Sequence, residues 1–425
     1  MKSKINTSGW SWIPSLYFAQ GLPYVVVMTL AVIMFKRLGV NNTDIALYTS
    51  WLYLPWVIKP LWSPLVDIVK TKRWWVISMQ LLIGGGLAGV ALTLPGPHAF
   101  RYSLAFMWLL AFSSATHDIA ADGFYMLGLD TKKQAFFVGI RNTAYRLAML
   151  TGQGLIVMLA GWLEKTYSAT LPEEIAVPRA WSITFYLLAA LFVLLFLYHQ
   201  FILPKPENDV PVKNGSPLKA FLETFVTFFQ KKGILAALAF ILLFRFAESQ
   251  LVKIASPFLL DHPEVGGLGL DTIQVGTIYG VVGLIALTVG GILGGIVMAK
   301  NGLKHWIWWM TAAMNLPNLV YVYLAFAHPS AMWLISTCVA VEQFGYGFGF
   351  TALTYFMMLF SKGQQQTAHY AICTGFMALG MMLPGMISGY IQELAGYQNF
   401  FLWIMFCTIP SFLAVRYVIR GAITL

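Results

Sequence analysis

Twelve apolar runs of membrane-spanning length constrain this chain more than any single motif in it. They fall at 12–36, 44–69, 74–94, 102–129, 135–161 and 181–203, then at 233–260, 271–299, 305–327, 331–360, 367–393 and 398–420. A helix crosses the hydrocarbon core with about 20 apolar residues. In lipid, backbone N–H and C=O groups must be satisfied inside the element that carries them. Runs of this length and number therefore predict an all-α integral membrane protein. Composition agrees, since 58% of the residues are hydrophobic and 10% charged, where soluble domains carry nearer 25% charged. The first run is too long for a signal-peptide core and lacks a small-residue cleavage site, so it is expected to remain as the first helix.

Between the sixth and seventh runs lies the most polar stretch, with Pro204, Pro206, Pro211 and Pro217 among Lys205, Lys213, Lys219, Lys231 and Lys232. Inside it, Leu218 to Gln230 has the pattern of a short amphipathic helix at the interface. The layout predicts an N-terminal six-helix bundle over 1–203, a basic linker over 204–232 and a C-terminal six-helix bundle over 233–425. Loop 2–3 (64–74) and loop 8–9 (294–305) are both tight basic turns, as expected of two related halves.

The net charge of +10 could suggest nucleic acid. Its distribution argues against that, because no basic stripe is interleaved with stacking aromatics. With the N-terminus in the cytoplasm, seventeen of the 27 Lys and Arg residues fall in cytoplasmic loops and termini, against Lys36, Arg37, Arg101, Lys165 and Arg179 outside. That bias predicts both termini inside. The three cysteines, Cys338, Cys373 and Cys407, sit in apolar runs without metal-ligand spacing and read as core residues. No Walker loop, HExxH or GxSxG is present, so neither a cofactor nor a metal is expected and the chain reads as a non-enzyme. Energy would come from ion or substrate gradients.

The remaining charges lie within spans, where each costs roughly 2.5–3.5 kcal/mol by insertion scales and marks function by default. Asp118 and Asp122 lie four apart, on one helix face. At least one could bind protons, and the other reading is a structural pair with Arg146 or Arg141. Asp118 is the first choice for coupling, with Asp122 as the partner of Arg146. Arg146, beside Tyr145, can hold a carboxylate or phosphate bidentately. Arg141 lies nearer the cytoplasmic end, where snorkelling or locking is expected. Arg245 and Glu248 are three apart and can pair locally, with Lys253 on another face. Glu248 and Glu342 join the candidates for proton coupling. Gln20 and Tyr24, with Tyr17 and Tyr48, could line a cavity. Lys59 and Asp67 read as gate residues. Gly290, Gly291, Gly294 and Gly295 suit close helix packing. His117 either tunes Asp118 or is a satisfied core residue.

Several of these stretches carry a resemblance. Gly21-Leu22-Pro23, the run Lys59-Pro60-Leu61-Trp62-Ser63-Pro64-Leu65-Val66-Asp67, Asp118-Ile119-Ala120-Ala121-Asp122-Gly123 and Tyr145-Arg146-Leu147 are similar to signatures of the AmpG-type muropeptide permeases. Arg245 with Glu248, and Glu342-Gln343 with Gly345, Gly347 and Gly349, extend the resemblance into the second half. It reaches more distantly to acetyl-CoA transporters, both groups lying within the major facilitator superfamily. The resemblance implies the major-facilitator fold in a bacterial inner membrane. It implies proton-coupled import of anionic anhydro-muramyl sugar-peptides by alternating access. Partners would be that anionic small molecule, protons and membrane lipid. A facilitator or exchanger of CoA-type or other anionic metabolites is the alternative. A membrane-bound modifying enzyme is a further one, although it would need its reactive groups gathered at one face.

Overall fold

A computed structural model describes residues 8–211, 217–363 and 366–421, and among them every regular element is helical. The first pass is α1 (Gly9–Arg37). The second is made of α2 (Asn42–Trp51) and α3 (Leu54–Ile68), broken just before Pro55. Then come α4 (Lys72–Thr93), α5 (Ala99–Gly128), α6 (131–168) and α7 (Glu173–Ile202). A linker helix, α8 (Pro217–Phe229), precedes the second set. That set opens with α9 (Ile234–Leu243) and α10 (Phe246–Leu260), two parts of one pass. It continues with α11 (272–301), α12 (303–327), α13 (Met332–Phe360), α14 (366–395) and α15 (397–421).

Eight helical stretches of the described residues are each long and apolar enough to cross a membrane. Two of them, spanning 272–327 and 368–419, turn back at a glycine with left-handed φ: Gly302 at 73° and Gly396 at 75°. Only glycine takes that conformation without strain, so each stretch is two passes. The α2–α3 pair and α13 complete twelve, as expected from the apolar runs.

Local chemistry sets the helix starts. The side chains of Asn41, Thr71 and Asp130 each accept a backbone N–H of the first turn, and Asp271 forms a reciprocal capping box with Gln274. Such caps satisfy donors that the helix leaves open. Two wide π turns, at Val26–Leu30 of α1 and Thr151–Ile156 of α6, lie against each other. A Cβ on Gly152 would stand 2.1 Å from Val25 Cγ1, so any side chain there would force Val25 to move. The pass formed by α9 and α10 breaks at Arg245 (φ −108°, ψ 23°). Ser411 Oγ lies 3.1 and 3.0 Å from the freed carbonyls of Leu243 and Phe244, which the broken ladder would otherwise leave unsatisfied.

The chain separates into two compact units, Met1–Met34 with Leu61–Ser216, and Phe35–Pro60 with Pro217–Leu425. The first unit has a buried polar spine. Gln80 Oε1 accepts from His199 Nδ1 at 2.9 Å, Gln80 Nε2 donates to His117 Nε2 at 3.1 Å, and His199 Nε2 meets Ser15 Oγ at 2.9 Å. His117 is thus a core residue tied to α4. We expect Gln80→Leu to leave His117 Nε2 and His199 Nδ1 without that partner and cost about 1–3 kcal/mol. A fall in the thermal unfolding midpoint of the purified protein measures this, and an unchanged midpoint would refute it.

In the second unit, α8 docks through Phe228, which stacks on Phe376 and meets Phe360 edge-on. Leu222 and Val226 remain exposed on the other face. Beyond α8, Lys231 Nζ donates to the carbonyls of Phe360 and Lys362 at the end of α13, where a cation opposes the helix dipole. Burial pulls this ammonium below the usual lysine range. Glycines bring α11, α12 and α13 close together. A Cβ on Gly290 would lie 2.2 Å from Phe344 O, one on Gly347 2.0 Å from Leu287 O, and one on Gly345 2.0 Å from Ala313 O. Of the expected glycine cluster, Gly290 and Gly294 face α13, whereas Gly295 faces open space.

Candidate functional site

The first unit gathers its candidate residues around α1. Tyr17 and Gln20, one turn apart, face Asp122 and Asp118, also one turn apart on α5. Gln20 Nε2 donates to Asp118 Oδ1, and Tyr17 Oη donates to Asp122 Oδ1 at 3.0 Å. From α6, Arg141 bridges to the same Asp122 oxygen at 3.3 Å. Its guanidinium lies 4.5 Å from the ring centroid of Tyr17 and 5.2 Å from that of Tyr125. Gly21 permits this arrangement, because a Cβ there would stand 2.9 Å from Ala148 Cβ and 3.1 Å from Tyr145 O on α6. That close approach is a physical reason for the glycine of Gly21-Leu22-Pro23.

Of the two arginines the sequence offered as a partner for Asp122, Arg141 makes the bridge described above. Depth favours it. The chain reverses at Asp130, so α5 and α6 run away from a common end, and a helix rises about 1.5 Å per residue. Arg141 then falls about level with Asp118 and one turn from Asp122, while Arg146 lies more than a turn deeper. Arg146 is exposed at the surface of the first unit, and Tyr145 lies within electrostatic reach of Tyr24, Asp118 and Asp122.

In the second unit, Arg245 sits at the α9–α10 break. It donates to Tyr346 Oη at 2.5 Å and lies over the rings of Tyr346 and Phe350, 5.0 Å from each centroid. Glu248 and Glu342 are both buried and within electrostatic reach of each other. Glu342 Oε2 accepts from Gln343 Nε2 at 2.9 Å, and Glu248 Oε2 has no hydrogen-bond partner. Two carboxylates, a guanidinium and an amide from α10 and α13 thus converge within one unit. Lys59 is half-buried on α3, and the side chain of Asp67 lies outside the described residues.

Two groupings escaped the sequence reading. One is a polar latch at the start of α2. Lys36 Nζ pairs with Asp261 at 2.7 Å, and Tyr397 Oη donates to the same carboxylate. Asn42 Nδ2 donates to Gln392 and Tyr397, while the hydroxyl and backbone N–H of Thr43 both donate to Glu393. No local spacing signals contacts made across 350 residues. The other is the setting of Lys253, a fully buried lysine held at Thr49 and Tyr53. Its position inside an apolar run was the available signal.

Known proteins share this sequence pattern and architecture. The Major Facilitator Superfamily pattern matches residues 15–383. A Rickettsia conorii protein named as a transporter, AmpG 4, is 26% identical over 95% of this chain and 94% of its own length. The anhydromuropeptide permease of Escherichia coli (strain K12) is 24% identical over 93% of this chain and 77% of its own. Among solved structures, a bacterial homologue of the human lysosomal transporter Spinster superposes with a TM-score of 0.72 at 14% identity, covering 98% of both chains. A mutant of the nucleoside transporter NupG superposes with the same TM-score of 0.72, at 16% identity over 96% of this chain and 98% of its own.

Proposed function

Given that the chain belongs to the major facilitator superfamily and is a membrane transporter, we propose that it imports anionic muropeptides together with protons. The observation that carries this reading is the pair Asp118 and Asp122 on one membrane-spanning helix. Asp122 is clasped by Arg141 and Tyr17, and Asp118 by the neutral amide of Gln20. Two carboxylates one turn apart, each bonded to α1, can divide their labour. Asp122 holds α1, α5 and α6 together. Asp118 accepts from Gln20 only with a lone pair, so protonating that carboxylate weakens its hold on α1. A proton arriving from outside thereby loosens one contact among the helices that must rearrange. Arg146, exposed on α6, supplies a bidentate contact for a carboxylate of the cargo.

The muropeptide class is supported by the relatives that match over nearly the whole chain, one of them named an anhydromuropeptide permease. In this proposal the helices of 1–203 and 233–425 form two bundles that alternate access. The chain lies in a bacterial inner membrane with both termini in the cytoplasm. Uptake of a radiolabelled anhydro-muramyl tripeptide into proteoliposomes tests the proposal. An inward proton gradient should raise initial uptake, and Asp118→Asn should remove that stimulation while the purified variant still binds the labelled tripeptide. Uptake indifferent to the gradient, or equal in the Asp118→Asn protein, would sink the coupling.

A further inference from the structure

We propose that Lys253, with the hydroxyls of Thr49 and Ser50, forms an anion site in the second unit that takes a carboxylate of the cargo. Lys253 is 1% exposed, in the middle of α10. Its Nζ donates to Thr49 Oγ1 at 3.0 Å and lies 5.1 Å from the ring centroid of Tyr53. Among the described residues no carboxylate forms an ion pair with it. Thr49 already donates its own hydrogen to Ile45 O at 2.6 Å, so it offers the ammonium a lone pair and no charge. An ammonium sealed in this way leaves donor capacity unused and gains little to offset its lost hydration.

A second observation points to the same place. Ser50 Oγ is fully buried and has no hydrogen-bond partner. It is directed at Gly385 of α14, where a Cβ would stand 2.7 Å from it and 3.6 Å from Lys253 Cγ. An unspent hydroxyl and the stem of a lysine without an ion pair therefore both border Gly385 at the junction of α2, α10 and α14. Together they offer what a carboxylate accepts: a positive charge with free N–H donors and one O–H. Thr49, Ser50 and Lys253 are all buried, so in this proposal the anion enters when α2 lifts from α10 and α14. The covering segment is held there by the polar latch at Lys36, Asn42 and Thr43, which is built from exchangeable hydrogen bonds and ion pairs. The anion thus serves as the counter-charge that Lys253 lacks while α2 is lifted.

This inference rests on the reading of the cargo as a carboxylate-bearing anion, and the experiment separates the two. Uptake of anhydro-muramyl tripeptide and of its fully amidated analogue is compared in wild type, Lys253→Met and Lys253→Arg proteoliposomes. We expect Lys253→Met to raise the KM for the carboxylate form at least tenfold and that for the amidated form by less than about twofold. Lys253→Arg should restore most of the difference. Equal changes for both forms, or none, overturn the site. If Lys253→Met fails to fold, Lys253→Gln carries the same comparison. Should wild type take up neither form, the cargo reading has failed and a second measurement decides on the site. In a background with the three native cysteines replaced by alanine, Ser50→Cys is alkylated with N-ethylmaleimide with and without glutarate. Protection by glutarate that disappears on adding Lys253→Met supports the anion site. Labelling that glutarate does not change, or protection that survives Lys253→Met, overturns it.

Discussion

Gly347→Ala should lower the thermal unfolding midpoint of the purified protein sharply, while Gly295→Ala should leave it unchanged or raise it. Both glycines lie in the tightly packed helices of the second unit, and helix propensity alone favours alanine at each by about 1 kcal/mol. Packing reverses the sign at one of them. A Cβ at position 347 would stand 2.0 Å from the carbonyl oxygen of Leu287, whereas a Cβ at 295 meets nothing within 4 Å. The obstacle at 347 is backbone, which cannot rotate away as a side chain can. Sliding α13 away from α11 would press Gly345, already 2.0 Å (as a built Cβ) from Ala313 O, into α12. Overpacking of this kind costs about 1–3 kcal/mol even where some repacking is possible. The Gly347 loss therefore exceeds the propensity gain. Equal midpoints for the two variants would show that α13 is not gripped from both sides.

Arg141→Gln should reduce the proposed muropeptide uptake about tenfold, and Arg141→Lys should restore little of it. The ion pair with Asp122 is partly exposed, with side-chain accessibilities of 28% and 40%, so charge alone is worth no more than about 1 kcal/mol. The guanidinium adds stacking over Tyr17 and Tyr125, worth roughly 0.5–2 kcal/mol. A lysine ammonium can reach Asp122 yet cannot lie flat against two rings at once. Tyr17 donates to the same Asp122 oxygen. Tyr17→Phe and Arg141→Gln should therefore be non-additive, the double variant losing less than the two single losses together. Initial uptake rates in proteoliposomes measure all four proteins. Wild-type rates in Arg141→Lys would rule out the stacking role.

The passes were legible because each is a long apolar run, and the turns were legible where polar caps or glycines stop a helix. Asp118, Asp122, Glu248 and Glu342 were legible for the same reason in reverse, as charges where lipid-facing sequence allows almost none. Their pairings were harder to read. Arg141 and Arg146 have equal claims on Asp122 by residue type, and only depth from the reversal at Asp130 separates them. The latch of Lys36 with Asp261, and of Asn42 with Gln392, depends on helices that no local pattern links. Lys253 stood in plain view in an apolar run, but the chain alone could not say whether a carboxylate would sit beside it. The grouping of Phe35–Pro60 with the second half has no local signature either. It follows from glycines at 385 and 389 that open α14 to α2, with a Cβ at 389 only 2.0 Å from Asn42 O.

That placement of α2 has a consequence for how the protein is made. Asn42 finds Gln392 only after 350 further residues exist. At ribosomal speeds of about 5–20 residues per second, that is a wait of roughly 20 to 70 seconds. Throughout it, Asn42 and Thr43 at the head of the second pass lack the partners that later satisfy them. A chain truncated before α14 would leave these polar groups unpaired in that way.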